Sequence, residues 1–282
     1  MTSVAQFFGN APGLGPSSTL ALVLADGTAG TAGTGNCPDL VVANTETYQT
    51  FGTGPDVVTT PTPARGAGAL RCNYNAGTAA NVMRSELGTD YAGRVNSWTI
   101  EGWARITAFS DSGVNVPVPV FGTCGGRVAT GNDLRIGWQF ALGQNGVTFS
   151  IEPDAQTSLF NTTTQVYAFG TDPAGAGART HAVFHSSSVA TNTWYHLCAQ
   201  WYSGSNNFRI FIDGVLLGSY TPTLSATGQA VMDTMSHLLA GNQVNYHYGA
   251  STDGFLDQLR FSSGLRYPST GFTVPAGVFV LD

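Results

Sequence analysis

Residues 206–220, NNFRIFIDGVLLGSY, hold an Asp-Gly pair between two apolar runs. Both residues of a tight two-residue hairpin turn need positive φ, so the pair predicts a β-hairpin turning at Asp213 and Gly214. In that register Ile212 faces Val215 and Ile210 faces Leu217, which makes one apolar face. A hairpin with one wet face carries polar residues on the other. Here the other face holds Phe211 opposite Leu216, with Arg209 opposite Gly218. The second face therefore needs a cover as well: another sheet, another subunit or a ligand.

The same logic extends along the chain. Residues 97–106, SWTIEGWARI, alternate Trp98, Ile100, Gly102, Ala104 and Ile106 against Thr99, Glu101, Trp103 and Arg105. STLALVLADG, GALRCNY, TWYHLCAQWYSG, HLLAGN and GFLDQLRFSS read as further strands, and LRIGWQFALGQNGVTFSIE as a hairpin around residues 144–146. Only residues 79–87, AANVMRSEL, have spacing suited to about two helical turns. Residues 26–36, DGTAGTAGTGN, are low-complexity and read as a loop. A long insertion runs over about 153–178. Short strands punctuated by Gly and Asn predict an all-β, two-sheet antiparallel jelly-roll sandwich.

Composition narrows the function. The net charge is -6, only 10% of residues are charged, and all 11 basic residues are Arg without any cluster, which excludes a basic nucleic-acid binder. The start, MTSVAQFFGNAPGLGP, has no positive charge, and LALVLA is too short to span a membrane, so neither a signal peptide nor a membrane partner is expected. Cys37, Cys72, Cys124 and Cys198 form no CxxC and are expected as free thiols, Cys198 as a small core residue.

Thr99-Glu101-Trp103, Trp194-His196, Ile212-Asp213-Gly214 and Gly254-Leu256-Asp257-Leu259-Arg260 follow one another in an order that resembles the laminin-G-like, concanavalin-A-like jelly-roll family. LALVLADGTAGT, GAGALRCNYNAG and the ending SSGLRYPSTGFTVP, with Arg266-Tyr267, Phe272 and Pro275, resemble the copies in virion proteins of tailed bacteriophages. Gly102 departs from the family pattern, which has a bulky apolar residue there, so the core must be filled from elsewhere. The resemblance implies a jelly roll over residues 17–265, with an arm at 1–16 and a tail at 266–282. It also suggests what covers Phe211 and Leu216: a loop of the same chain, the 153–178 insertion, or a neighbouring subunit.

Catalytic patterns are weak. Glu152 and Asp154 have the alternate spacing of a glycosidase pair, but Pro153 between them makes a turn. Glu101 is a lone carboxylate expected to hydrogen-bond to a neighbouring strand, and His196 reads as structural. His181 and His185 lie in a β-like run and do not form a metal spacing. The family's frequent calcium site finds only Asp90 and Asp257 as nearest acids, and Asp257 reads as a strand-turn residue. No metal, cofactor or enzymatic activity is expected. The candidate ligand loop is 241–254, where Asn245, Tyr246, His247 and Tyr248 combine aromatic platforms with hydrogen-bonding groups.

Two function classes follow. One is a structural virion protein, a capsid decoration, fibre or tail component that binds other virion chains as a homo-oligomer in particles assembled in the host cytoplasm. The other is a carbohydrate- or receptor-binding module. Candidate interface residues are Phe7 and Phe8 in the arm, Phe211 and Leu216 on the hairpin, and Phe272 in the tail.

Overall fold

The computed structural model describes residues 18–23, 30–31, 40–42, 48–51, 56–72, 82–86, 96–107, 118–127, 134–143, 146–151, 180–184, 189–221, 235–241 and 254–280. In chain order the strands are β1 (Ser18–Val23), β2 (Gly30–Thr31), β3 (Leu40–Val42), β4 (Tyr48–Phe51), β5 (Asp56–Val58), β6 (Ala69–Cys72), β7 (Val82–Glu86), β8 (Trp98–Ile106), β9 (Val118–Arg127), β10 (Leu134–Gly143), β11 (Gly146–Ile151), β12 (Thr180–Phe184), β13 (Tyr195–Tyr202), β14 (Asn207–Ile212), β15 (Val215–Tyr220), β16 (Met235–Gly241) and β17 (Gly254–Ser263). A 3-10 turn, Ser203–Ser205, is the one helical element among the described residues.

The strands form two antiparallel sheets. The ten-stranded sheet runs β15-β14-β13-β8-β17-β6-β5-β2, with β1 also pairing β17 and β3. The seven-stranded sheet runs β12-β11-β10-β9-β16-β7-β4. This is the jelly-roll sandwich that the strand pattern predicts. The helical reading of residues 79–87 does not hold over 82–86, the part that is described. Val82–Glu86 is a strand between β4 and β16, whose ladders satisfy its backbone on both sides. The 26–36 stretch contains the short strand β2, paired with β5. Strand β9, with Pro119, Gly122, Gly125 and Gly126, carries no clear alternation in sequence, yet it pairs β10 and β16 through several bulges.

The alternation in β8 separates two buried faces. Trp98, Ile100, Ala104 and Ile106 point one way with Trp201, Phe208, Ile210 and Phe261, all nearly or fully buried. Trp98 packs on Phe208 and Phe261, and Phe208 on Trp201, with ring centroids 4.6–6.0 Å apart. This is the apolar layer that a sandwich closes between its sheets. Gly102 sits in it, and its neighbour supplies the missing bulk. Strand β17 bulges between Asp257 and Arg260, with Gln258 at φ 50°, and Leu259 fills the space so fully that a methyl on Gly102 would lie 3.1 Å from its Cδ1.

The hairpin turns where the sequence says, with Asp213 at φ 49° and Gly214 at φ 77°. Ile212 pairs Val215 and Phe211 pairs Leu216 as expected. Beyond them the register shifts: Ile210 lies opposite Gly218 rather than Leu217, and Arg209 opposite Ser219 rather than Gly218. Leu217 is the extra residue of a bulge, a backbone feature that side-chain alternation does not encode.

Candidate functional site

The second face of the ten-stranded sheet carries Thr99, Glu101, Trp103, His196, Cys198, Gln200, Phe211 and Arg260, and it is also buried. Its cover is the chain's own carboxy-terminal segment, 266–280, where the sequence pointed to the 153–178 insertion. That insertion lies outside the described residues. The reason is local. Gly264 at φ 75° reverses the chain after β17, and the segment lies back across the sheet that β17 has just completed.

Side chains of the sheet hold it. Thr99 donates to the Gly264 carbonyl (2.9 Å) and accepts from the Arg266 amide (3.2 Å). The Gln200 amide, oriented to satisfy both of its ends, brackets the Tyr267 backbone with bonds of 2.9 and 3.1 Å. The Arg266 guanidinium donates to the Ser262 (2.6 Å) and Thr19 (2.9 Å) hydroxyls. The Phe272 amide donates to the Gly214 carbonyl at the hairpin turn (2.9 Å), and the Phe279 amide to Gln258 Oε1 (2.8 Å). Arg65 closes the far end. Its Nε and Nη2 donate to the Pro275 carbonyl (3.1 and 3.0 Å), while its guanidinium stacks 4.1 Å above the Trp103 ring. Leu22, Trp103 and Phe279 make a small core there, with Ala64, Trp194 and Val274 against it.

Beneath the segment lies the buried carboxylate of Glu101. Glu101 Oε1 accepts from Arg260 Nε (2.9 Å) and Nη2 (2.6 Å). Oε2 accepts from the Tyr267 hydroxyl (2.6 Å) and meets His196 Nε2 at 3.2 Å. Burial by itself would raise the Glu101 carboxyl. The His196 hydrogen bond, the Arg260 charge and the Tyr267 hydroxyl outweigh it and hold the group at about 2. Burial and the Glu101 charge push the Tyr267 phenol far above its ordinary range, so it stays a donor. Burial, then the same charge, also raises the Cys198 thiol, which is free and inert. Both oxygens of Glu101 are spent and the group is shut from solvent. A carboxylate held in this way is a fixed anion, and it fastens the tail rather than trading protons.

The sequence-level candidates divide. Phe211 and Phe272 meet each other at 5.3 Å between centroids, and Phe272 stacks on Tyr267 at 3.6 Å. Leu216 is half-buried beside them, its amide 3.9 Å from where a side chain on Gly271 would begin. Phe7, Phe8, Asn245, Tyr246, His247, Tyr248, Glu152, Asp154, His185 and Asp90 lie outside the described residues. Asp257 is buried on β17 and accepts from the Arg65 amide (2.7 Å). No cluster of His, Cys, Asp and Glu suited to a metal occurs among the described residues. No helix there is long and apolar enough to cross a membrane. The sequence left two readings of the tail, a tie to neighbouring chains or packing along its own jelly roll, and the described residues show the second, the tail clasp. Its signal was the spacing of Arg266, Tyr267 and Phe272 after a strand already carrying Arg260.

A family model described as the concanavalin A-like lectin/glucanases superfamily, Laminin_G_3, matches residues 76–269. The chain belongs to this superfamily. Among solved structures similar to it is that of the conserved carbohydrate esterase vb_24B_21 from Shiga toxin-encoding bacteriophage phi24B. The TM-score is 0.54 at 14% identity, over 88% of this chain and 99% of that one. Another is botulinum neurotoxin type C, in a study of cell entry dependent on two ganglioside molecules, with TM-score 0.52 at 11% identity over 86% of this chain and 47% of that one. A third is the binding domain of Paraclostridial Mosquitocidal Protein 1, with TM-score 0.52 at 11% identity over 91% of this chain and 50% of that one. The chain thus spans about half the length of the toxin structures it matches. At these identities the likeness is one of fold. No curated protein matches the sequence.

Proposed function

We propose that this superfamily member is a structural virion protein of a tailed bacteriophage, a decoration, fibre or tail component that works by protein–protein contacts and not by catalysis. The observation that carries the reading is the occupied sheet face. Arg266, Tyr267, Phe272 and Pro275 of the phage-like ending all dock there, and the two carboxylates that the described residues place on this face are both buried and engaged, Glu101 by Arg260, His196 and Tyr267 and Asp257 by the Arg65 amide. A glucanase-type groove needs that face open, with its two carboxylates free to meet a substrate. Match over nearly the whole of a phage-derived structure supports the same setting. Mass spectrometry and electron imaging of purified particles test it. The chain is expected in many symmetric copies on head or tail, and its absence from washed particles overturns the reading.

The second reading is a carbohydrate-binding module. It is favoured by the binding domains among the structures of similar fold and by the aromatic loop at 245–248. A phage surface protein can serve both roles.

A further inference from the structure

Among the described residues, the tail leaves one end of the sheet face uncovered. Past Phe211 and Leu216, strands β13 to β15 present Arg209 opposite Ser219 and Tyr202 opposite Asn207, and the Asn207 amide donates to the Thr221 hydroxyl (3.2 Å). Ser219 and Thr221 are exposed, and Tyr202, Asn207 and Arg209 are half-buried. The Arg209 guanidinium carbon stands 5.2 Å from the centre of the Tyr202 ring. Gly204, in the turn after β13, packs on the same ring so closely that a methyl there would lie 3.3 Å from Tyr202 Cζ and Oη. Tyr202 is therefore fixed, and it fixes Arg209 by a cation–π contact.

The arginines of this sheet are otherwise engaged. Arg65 holds Pro275, Arg105 holds Asn192, Arg260 holds Glu101, and Arg266 holds Ser262 and Thr19. Arg209 makes no hydrogen bond or ion pair among the described residues. Its planar fork of N–H donors is oriented and unspent, in a protein of net charge -6. The groups around it are hydroxyls and an amide. A protein-binding patch is built on a large apolar centre, which these rows lack.

We propose that Arg209, stacked on Tyr202, is a subsite for the carboxylate of an acidic saccharide residue of the uronic or sialic acid type. Asn207, Ser219 and Thr221 are placed to hydrogen-bond its hydroxyls. The assignment rests on the carbohydrate-binding reading above. A carboxylate accepts two parallel, charge-assisted N–H bonds from such a fork, whereas the hydroxyls of a neutral sugar bring no charge to pair with it.

The test presents the full chain with matched saccharides, sialylated or glucuronylated on one side and the same compounds with the carboxyl reduced to an alcohol on the other. Affinity is expected to fall about tenfold or more on carboxyl reduction, in Arg209→Ala and in Arg209→Lys. Arg209→Lys keeps the charge and the stem, so it decides the matter if Arg209→Ala melts early. Binding of acidic saccharides that survives both substitutions, or binding of neutral ones alone, overturns the subsite and leaves the carbohydrate reading standing. Failure to bind any saccharide overturns both. If instead Arg209→Ala abolishes particle attachment without any saccharide being bound, the partner is a protein carboxylate and the saccharide assignment fails.

Discussion

At the scale of single residues, Glu101 shows how burial is made tolerable. Four contacts from three directions satisfy it, and its partners come from β13, β17 and the tail. Its folded-state value of about 2 lies below the ordinary 4.5, so between those values the folded chain binds fewer protons than the unfolded one. The contribution is therefore complete above about pH 4.5 and is lost as pH falls towards 2. Replacing Glu101 by Gln leaves Arg260 buried without its counter-ion, and should cost about 3–5 kcal/mol at pH 7 in urea titrations. The gap between the two proteins should narrow below pH 4.5, and a constant gap down to pH 2 would contradict the assignment. Gly102 is the opposite case, a residue defined by what it lacks. A methyl there meets Leu259 Cδ1 at 3.1 Å and its Cα at 3.3 Å, so Gly102→Ala should destabilise by about 1–3 kcal/mol through overpacking.

At the scale of elements, the tail behaves as an extra layer on the sheet. It is not a strand of that sheet, and side chains of β8, β13 and β17 supply most of its hydrogen bonds. Phe272 is its centre, meeting Tyr267, Phe211 and His196 together. Phe272→Ala should cost about 2–4 kcal/mol, read as a lower urea midpoint with an unchanged slope. Truncation after Leu265 also removes the Tyr267 donor and Phe279, and should lower the melting temperature much further. An unchanged melt would show that the segment is no part of the core. Gly214 belongs to the same element boundary. Its positive φ serves the hairpin, and a side chain there would fall on the Phe272 carbonyl, so turn and tail constrain one another.

At the scale of the whole molecule, the sandwich spends both faces of its larger sheet on itself, one on the apolar layer and one on the tail. Among the described residues, the Arg209 end of that second face is the part left for a partner. The proposed attachment device is then the arm. Phe7 and Phe8 stand among small and turn-forming residues, and each can bury an aromatic ring in a neighbour's groove. Deleting residues 2–16 should leave the melting curve unchanged and abolish assembly or particle binding, as read by light scattering and co-sedimentation. Assembly that survives the deletion moves the interface elsewhere on the molecule.

Alternation and the Asp-Gly signal sufficed to read β8, β13, β14, β15 and β17 in sequence, because period-two patterning and positive-φ turns are written in adjacent residues. The apolar second face of the hairpin even announced that something must cover it. What covered it was not legible. Tyr267 meets Glu101 across 166 positions, and Arg65 meets Pro275 across 210. Such pairs leave no periodic trace, since each partner alone looks like an ordinary polar or turn residue. The bulges at Leu217 and Gln258 were hidden for a related reason. They answer to the packing of a neighbouring strand, and that neighbour is fixed only once the sheet has assembled.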